Sequence, residues 1–236
     1  VQTCALPIYG FESEDYTSAF LKTANSPNFL LRSRKTKENP FRKFNKHPKS
    51  EHIPNTRLET FIFTVSDIHK YALIQQDRDI EFITDDVIDY ENYSFIQTKP
   101  SKYMALSYGF IEWHTPNHDY HPDEFHELDW DMEHPDLDFT KNINYLDHTA
   151  SRVRAPDRDA AIMEFMELTN YQFDFAIYVK HLNSITSVAR LSDKDFAMVF
   201  TSGIDPFDTY EEAGPTERYI HNYGTRTHHM AFQTEN

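Results

Sequence analysis

The chain has 236 residues, 39% hydrophobic and 26% charged, with a formal net charge of −15. That length suits one large domain or two small ones, and an aromatic fraction of 15% supplies enough apolar bulk for a core. A mean hydropathy of −0.68, with no apolar run near the roughly 18 residues a bilayer crossing needs, excludes a membrane-spanning helix. The acidic balance argues against a nucleic-acid partner, and neither Gly-rich phosphate-binding pattern occurs.

In chain order, Val1–Ile8 (VQTCALPI) comes first. It back-translates as GTT CAG ACG TGT GCT CTT CCG ATC T, which resembles a short-read library adapter, so residues 1–8 are expected to be a sequencing scar outside the fold. Cys4 is the only cysteine, so without the scar no disulfide, catalytic thiolate or Cys-ligated zinc is expected. A cysteine-free chain is compatible with a cytoplasmic location.

From Arg32 to Lys49 the chain is basic, with eight Lys or Arg against Glu38, and reads as an exposed loop. Thr60–Val65 then reads as a buried strand and Asp67 as the cap of a helix running to Gln76. Ile80–Thr84, Ser94–Thr98 and Met104–Trp113 read as three further strands. Between Asn117 and Asp138 the charge reverses, with nine Asp or Glu, four His and no Lys or Arg, broken by Pro122 and Pro135. Such a density of like charge predicts a solvated connector. The spacing of His118, His121, His126 and His134 is too irregular to suggest a metal site.

The β-α-β-β-β order then recurs. Tyr145–Arg154 reads as a strand and Asp157–Leu168 as a helix, with Ala161, Ile162, Phe165, Met166 and Leu168 at three- and four-residue spacing. Strands follow at Phe173–Val179, Ile185–Leu191 and Phe196–Thr201. A short helix at Thr216–Asn222, stopped by Gly224, precedes a last strand at Thr227–Thr234. An internal repeat sets the expected fold. It is α+β, built of paired β-α-β-β-β modules in two domains: residues 9–116 and 143–236, joined by the acidic, His-rich linker 117–142.

Paired modules of this order resemble the vicinal oxygen chelate superfamily. Within it, Tyr145-Leu-Asp-His148-Thr-Ala-Ser-Arg-Val153 is similar to the strand bearing the first iron ligand of 4-hydroxyphenylpyruvate dioxygenases. Thr227-His228-His229-Met-Ala-Phe232 resembles the strand bearing the second, 81 positions further on. The resemblance implies His148 and His229 as ligands of Fe(2+), and Ser187, Ser202 and His228 as substrate contacts, with Pro215 standing where the family has a glutamine. It implies an aromatic 2-oxo acid and dioxygen as small-molecule partners, oxidative decarboxylation coupled to hydroxylation, and a place in aromatic amino acid catabolism. The family's third ligand, a glutamate, would fall beyond Asn236, so the second domain is expected to be incomplete and these residues alone inactive. Two alternatives remain open: an isomerase or ring-cleaving dioxygenase using another divalent metal, and a binding protein that keeps the cup without the chemistry. Association with further copies is also left open.

The chemistry can be stated without the family. A ferrous oxygenase site takes two neutral imidazoles and one carboxylate on one face of the metal, and stiff strands hold such ligands at fixed angles. Alternation along a strand puts His148 on a face with Leu146 and Ala150, Asp147 and Thr149 on the other, and separates His228 from His229. In the first repeat, superposing Thr60-Phe-Ile-Phe on His229-Met-Ala-Phe puts Thr60 at the imidazole position. Glu112 stands there where a superfamily carboxylate often lies, and without its histidines it has no metal to hold. The first domain is therefore expected to be structural.

Overall fold

The computed structural model describes residues 5–23, 26–37, 39, 41, 56–116, 118, 126–127, 143–206 and 208–235. Three sheets and three α-helices follow from these residues. The first sheet is an antiparallel meander of β1 (Ala5–Glu12), β2 (Tyr16–Thr23) and β3 (Phe29–Arg34), extended at β1 by the two-residue β8 (His126–Glu127). Ser13 closes the β1–β2 turn, its hydroxyl accepting from the Tyr16 amide at 3.1 Å. No element was expected here. β1 begins inside the segment set aside as a scar, and β3 takes up the first residues of the basic stretch. Arg34 points its fork at Glu59, with two bonds of 2.7 Å, and Arg32 lies over the Tyr16 ring. Residues 42–49 of that stretch and most of the acidic segment lie outside the described residues, but β8 puts a short strand inside the segment read as featureless.

The two repeats fold alike. In the first, β4 (Thr60–Thr64), α1 (Ile68–Gln76), β5 (Ile88–Asp89), β6 (Tyr93–Gln97) and β7 (Ser107–Trp113) form a sheet of order β4-β7-β6-β5. In the second, β9 (Ile143–Arg152), α2 (Arg158–Leu168), β10 (Gln172–Val179), β11 (Ser184–Arg190) and β12 (Ala197–Gly203) give β9-β12-β11-β10. Opening and closing strands pair in parallel in both, and β13 (Arg226–Thr234) adds to the free edge of β9. α3 (Pro215–Tyr223) leads into it. Pro215 suits the first helical turn, where its missing N–H is not needed, and Gly224 ends the helix at φ 75°.

The segment Ile80–Thr84 departs from expectation. It makes only a bridge from Phe82 to Thr98, and the second strand of the unit is displaced to Ile88–Asp89. Asp79 leaves the helix in a left-handed conformation, φ 61°, and the Thr84 hydroxyl bonds the Asp86 carbonyl at 2.8 Å. These local turns take the place of a ladder. The closing strand likewise starts at Ser107, because Ala105 (φ 51°) turns the chain just before it.

One core serves both repeats. Ile68, Ala72, Ile96, Leu106, Tyr108 and Phe110 from the first pack with Val153, Phe165, Leu168, Met198 and Phe200 from the second. α1 and the loop before β7 both meet α2 across the seam: the Tyr71 hydroxyl donates to the Leu168 carbonyl at 2.8 Å and the Ser101 hydroxyl to Glu164 at 2.5 Å. The acidic stretch that separates the repeats in sequence therefore marks no gap between them in packing.

Glu112 has a structural role. Its carboxylate accepts from the Ile68 amide at 2.8 Å, at the first turn of α1, where N–H groups lack helical partners and negative charge is favoured. Glu112→Ala should cost about 1 kcal/mol, the usual price of a lost cap, read as a shift in the urea midpoint. Glu112→Gln, which still accepts, should lose less.

Candidate metal centre

β13 pairs antiparallel with β9, and two of the three register shifts in that ladder shape the site. Thr227 pairs with Ser151 and His229 with Ala150, so His228 is an extra residue on β13. Ala231 pairs with His148 and Phe232 with Leu146, so Asp147 is an extra residue on β9. A bulge breaks alternation and re-aims side chains, which is why simple alternation misplaces both residues. Asp147 turns to His148, its Oδ2 lying 2.7 Å from Nδ1. His228 turns to His229, with 2.7 Å between their Nδ1 atoms.

Across the strands, the Nε2 atoms of His148 and His229 approach to 3.4 Å, with the rings edge to face. An ionised carboxylate can only accept, so Nδ1 of His148 carries the proton and its Nε2 lone pair faces His229. When His229 donates from Nδ1 to His228, its own Nε2 lone pair turns the same way. Two nitrogens each about 2.1 Å from one cation can lie up to about 4.2 Å apart, and 3.4 Å falls inside that reach. The carboxylate behind His148 is the support that a ligating imidazole takes. These donors fit two positions of a divalent first-row metal. Among the described residues, no group of three His, Cys, Asp or Glu side chains is placed to hold one.

No family model matches the sequence, and no curated protein does. Among solved structures, a triple mutant of 4-hydroxymandelate synthase from Streptomyces coelicolor aligns with 98% of this chain and 64% of its own, at TM-score 0.68 and 10% identity. A xylose isomerase-like TIM barrel/4-hydroxyphenylpyruvate dioxygenase fusion protein aligns with 98% of this chain and 33% of its own, at TM-score 0.57 and 12% identity. The chain has the vicinal oxygen chelate fold. It spans just under two thirds of the synthase and a third of the fusion protein. At these identities the likeness is one of architecture.

Within the vicinal oxygen chelate fold the sheet has two faces, and the register assigns each residue to one. His148, Ala150 and Arg152 share a face with Val199 and Thr201 of β12 and with His229 and Arg226 of β13. Thr149, Ser151, Met198, Phe200 and Ser202 occupy the other, which packs on α2. Ser187 pairs with Phe200 and Ser202 with Ile185, so both serines lie on the helix side. Both are buried, and the Ser202 hydroxyl bonds the Gly203 carbonyl at 2.9 Å and faces Arg158 of α2. The structure does not bring these two expected substrate contacts to the imidazoles. His228 it does bring there, half-stacked edge-on against Tyr219 of α3.

The electrostatics favour neutral rings. Burial, the facing His148 and Arg152 lower the affinity of His229 for a proton. Burial, Arg152 and His229 do the same for His228. Among the described residues of the first repeat, no two imidazoles are placed as His148 and His229 are. Thr60 faces Ser107 in the parallel ladder as His148 faces Ala197, and its hydroxyl accepts from Gln97 Nε2 at 3.0 Å. Asp147, Arg152 and Arg226 were missed from sequence. Arg152 was within reach, since it lies four residues beyond His148 on the same face; Asp147 depends on a bulge that only the partner strand reveals.

Among the described residues no helix is long and apolar enough to cross a membrane.

Proposed function

We propose that the protein carrying this chain is a non-haem iron(II)-dependent dioxygenase acting on an aromatic 2-oxo acid, with His148 and His229 holding the metal. The observation that carries the reading is the 3.4 Å approach of the two Nε2 atoms across β9 and β13, on a fold shared with 4-hydroxymandelate synthase and a 4-hydroxyphenylpyruvate dioxygenase fusion protein. Ferrous iron, when bound, supplies the one-electron chemistry that dioxygen needs and open positions for a chelating keto acid. The chain's residues do the rest. Asp147 accepts from His148 Nδ1 and so keeps the Nε2 lone pair directed inward, and His228 offers His229 the matching acceptor. Arg152, lying beside both β13 imidazoles, disfavours their protonation. The wall formed by Ala150, Val199 and Val188, which pack together, gives the substrate an apolar surface.

The two described imidazoles are one donor short of a facial triad, and this favours a second reading, a metal or ligand carrier on the same fold. Oxygen consumption separates the two. The protein carrying this chain, given ferrous iron and 4-hydroxyphenylpyruvate or phenylpyruvate, should consume oxygen in step with loss of the keto acid. Stoichiometric iron binding at His148 and His229 without oxygen uptake on any 2-oxo acid would establish the carrier.

A further inference from the structure

Three arginines gather beside the imidazoles. Arg152 and Arg226 are direct cross-strand partners in the β9–β13 ladder, on the same face as His148 and His229. Like charges so placed repel. Arg57, from the segment leading into β4, joins them: burial and the charge of Arg226 push its guanidinium down to about 10. The Nε atoms of Arg57, Arg152 and Arg226 are all buried and lack a hydrogen-bond partner. Among the described residues, the hydrogen bonds these side chains make are to neutral groups, from Arg152 Nη1 to the Thr216 hydroxyl at 2.6 Å and from Arg57 Nη2 to the Ala105 carbonyl. Glu59, the carboxylate whose charge acts on Arg57, gives both oxygens to Arg34. Among the described residues, none of the three has an ion pair. The charges of all three act on Tyr219 of α3, and burial, the larger effect, keeps its phenol protonated and able to donate.

Buried cations without counter-charge are costly and are met where an anion completes them. A guanidinium offers Nε–H and Nη–H side by side, a fork matching two oxygens of one carboxylate or phosphate. We propose that Arg57, Arg152 and Arg226 form the binding site for a carboxylate or phosphate oxyanion of a small-molecule ligand, with Tyr219 as a further donor. Arg152 lies one alternation step beyond Ala150, the cross-strand partner of His229, so the oxyanion belongs to a ligand that also reaches the imidazoles. The inference deepens the dioxygenase reading and rests on it only for the far end of that ligand.

The test uses the whole chain freed of metal with a chelator. Inorganic phosphate and succinate are titrated separately by calorimetry and thermal melting, against sodium chloride at matched ionic strength. At least one of them should bind and raise the Tm beyond chloride. Arg226→Gln and Arg57→Gln should each weaken that binding at least tenfold, and His148→Ala should leave it intact while removing the metal site. Preference for succinate assigns a carboxylate ligand, and preference for phosphate a phosphorylated one. Should a glutamine variant fail to fold, Arg226→Lys keeps the charge and loses the fork, and a several-fold weakening supports the site. Stabilisation no greater than by chloride, or binding unchanged in Arg226→Gln or Arg226→Lys, overturns it. Failure of the unsubstituted chain to bind ferrous iron or cobalt(II), with anion binding present, would count against the dioxygenase reading alone.

Discussion

Phe165→Ala is expected to remove about 3–5 kcal/mol of stability, the range for truncating a fully buried aromatic. Domains of this size keep only about 5–15 kcal/mol in total, so the variant should be largely unfolded at a few molar urea where the parent is not. Phe165 is fully buried, with its ring 5.8 Å from Phe63, 5.7 Å from Tyr108, 5.0 Å from Tyr171 and 5.9 Å from Phe200. Two of those partners belong to the first repeat and two to the second. The cavity therefore opens at the seam, and the loss should appear as one cooperative transition at lower denaturant, seen equally by probes in either repeat. Phe175→Ala supplies the control, since that ring is partly exposed on β10 and should cost far less. Two separate transitions, with only the second repeat destabilised, would show that the shared core does not couple the units.

The internal repeat argued for two domains, and the nine carboxylates between Asn117 and Asp138 for a solvated connector between them. It could not show that α1 and α2 meet across that gap, since the Tyr71–Leu168 and Gln75–Glu167 bonds join residues with no local signature. Where pattern and packing agree, the sequence was legible. Thr60–Thr64, Tyr93–Gln97 and the five strands of the second sheet carry β-branched and aromatic residues at period two, and both helices show their caps or apolar spacing. The meander β1–β3 was not legible, because Tyr16–Thr23 and Phe29–Arg34 are short, half-polar and set among charged residues. Ile80–Thr84 misled because its apolar residues satisfy a strand pattern while Asp79, Asp85 and Asp86 favour turns.

The meeting of His148 and His229 was legible in the sequence, and their surroundings were not. His148 and His229 came from a resemblance in strand order and spacing, and the ladder sets them Nε2 to Nε2. Ser187 and Ser202 fall on the face away from the imidazoles for a reason of parity. Each lies one residue away from a position facing the imidazoles, Thr186 or Val188 for the first and Thr201 or Gly203 for the second, and a shift of one residue exchanges the faces of a strand. The bulges at His228 and Asp147 act oppositely, bringing to the site residues that parity alone would send away. Bulges are properties of a pair of strands, so one strand's sequence does not disclose them.

Metal affinity should follow the protonation of these imidazoles. A ligating imidazole must be neutral, so protons compete with the cation. An unperturbed imidazole titrates near about 6.5, and His229 is held below that, first by burial and then by the charges of His148 and Arg152. Its neutral form therefore persists to lower pH. Binding of ferrous iron, or of cobalt(II) as an air-stable probe, should hold steady from about pH 8 to 7 and decline only as the pH falls below about 6.5. The same sign applies to the metal-free fold: a histidine with a lowered folded pKa contributes stability that is present above its unfolded value and lost as the pH falls through the folded one. His148→Ala and His229→Ala should each abolish measurable binding, because a single imidazole is left. Asp147→Asn should weaken it by about 10–100-fold, the usual cost of losing the carboxylate behind a ligating histidine. Titration with cobalt(II), followed by the imidazole proton resonances and repeated across the pH range in each variant, reads all of these effects. Affinity that does not change with pH, or that survives either alanine substitution, would place the metal elsewhere and leave the His148–His229 contact as a hydrogen-bonded pair.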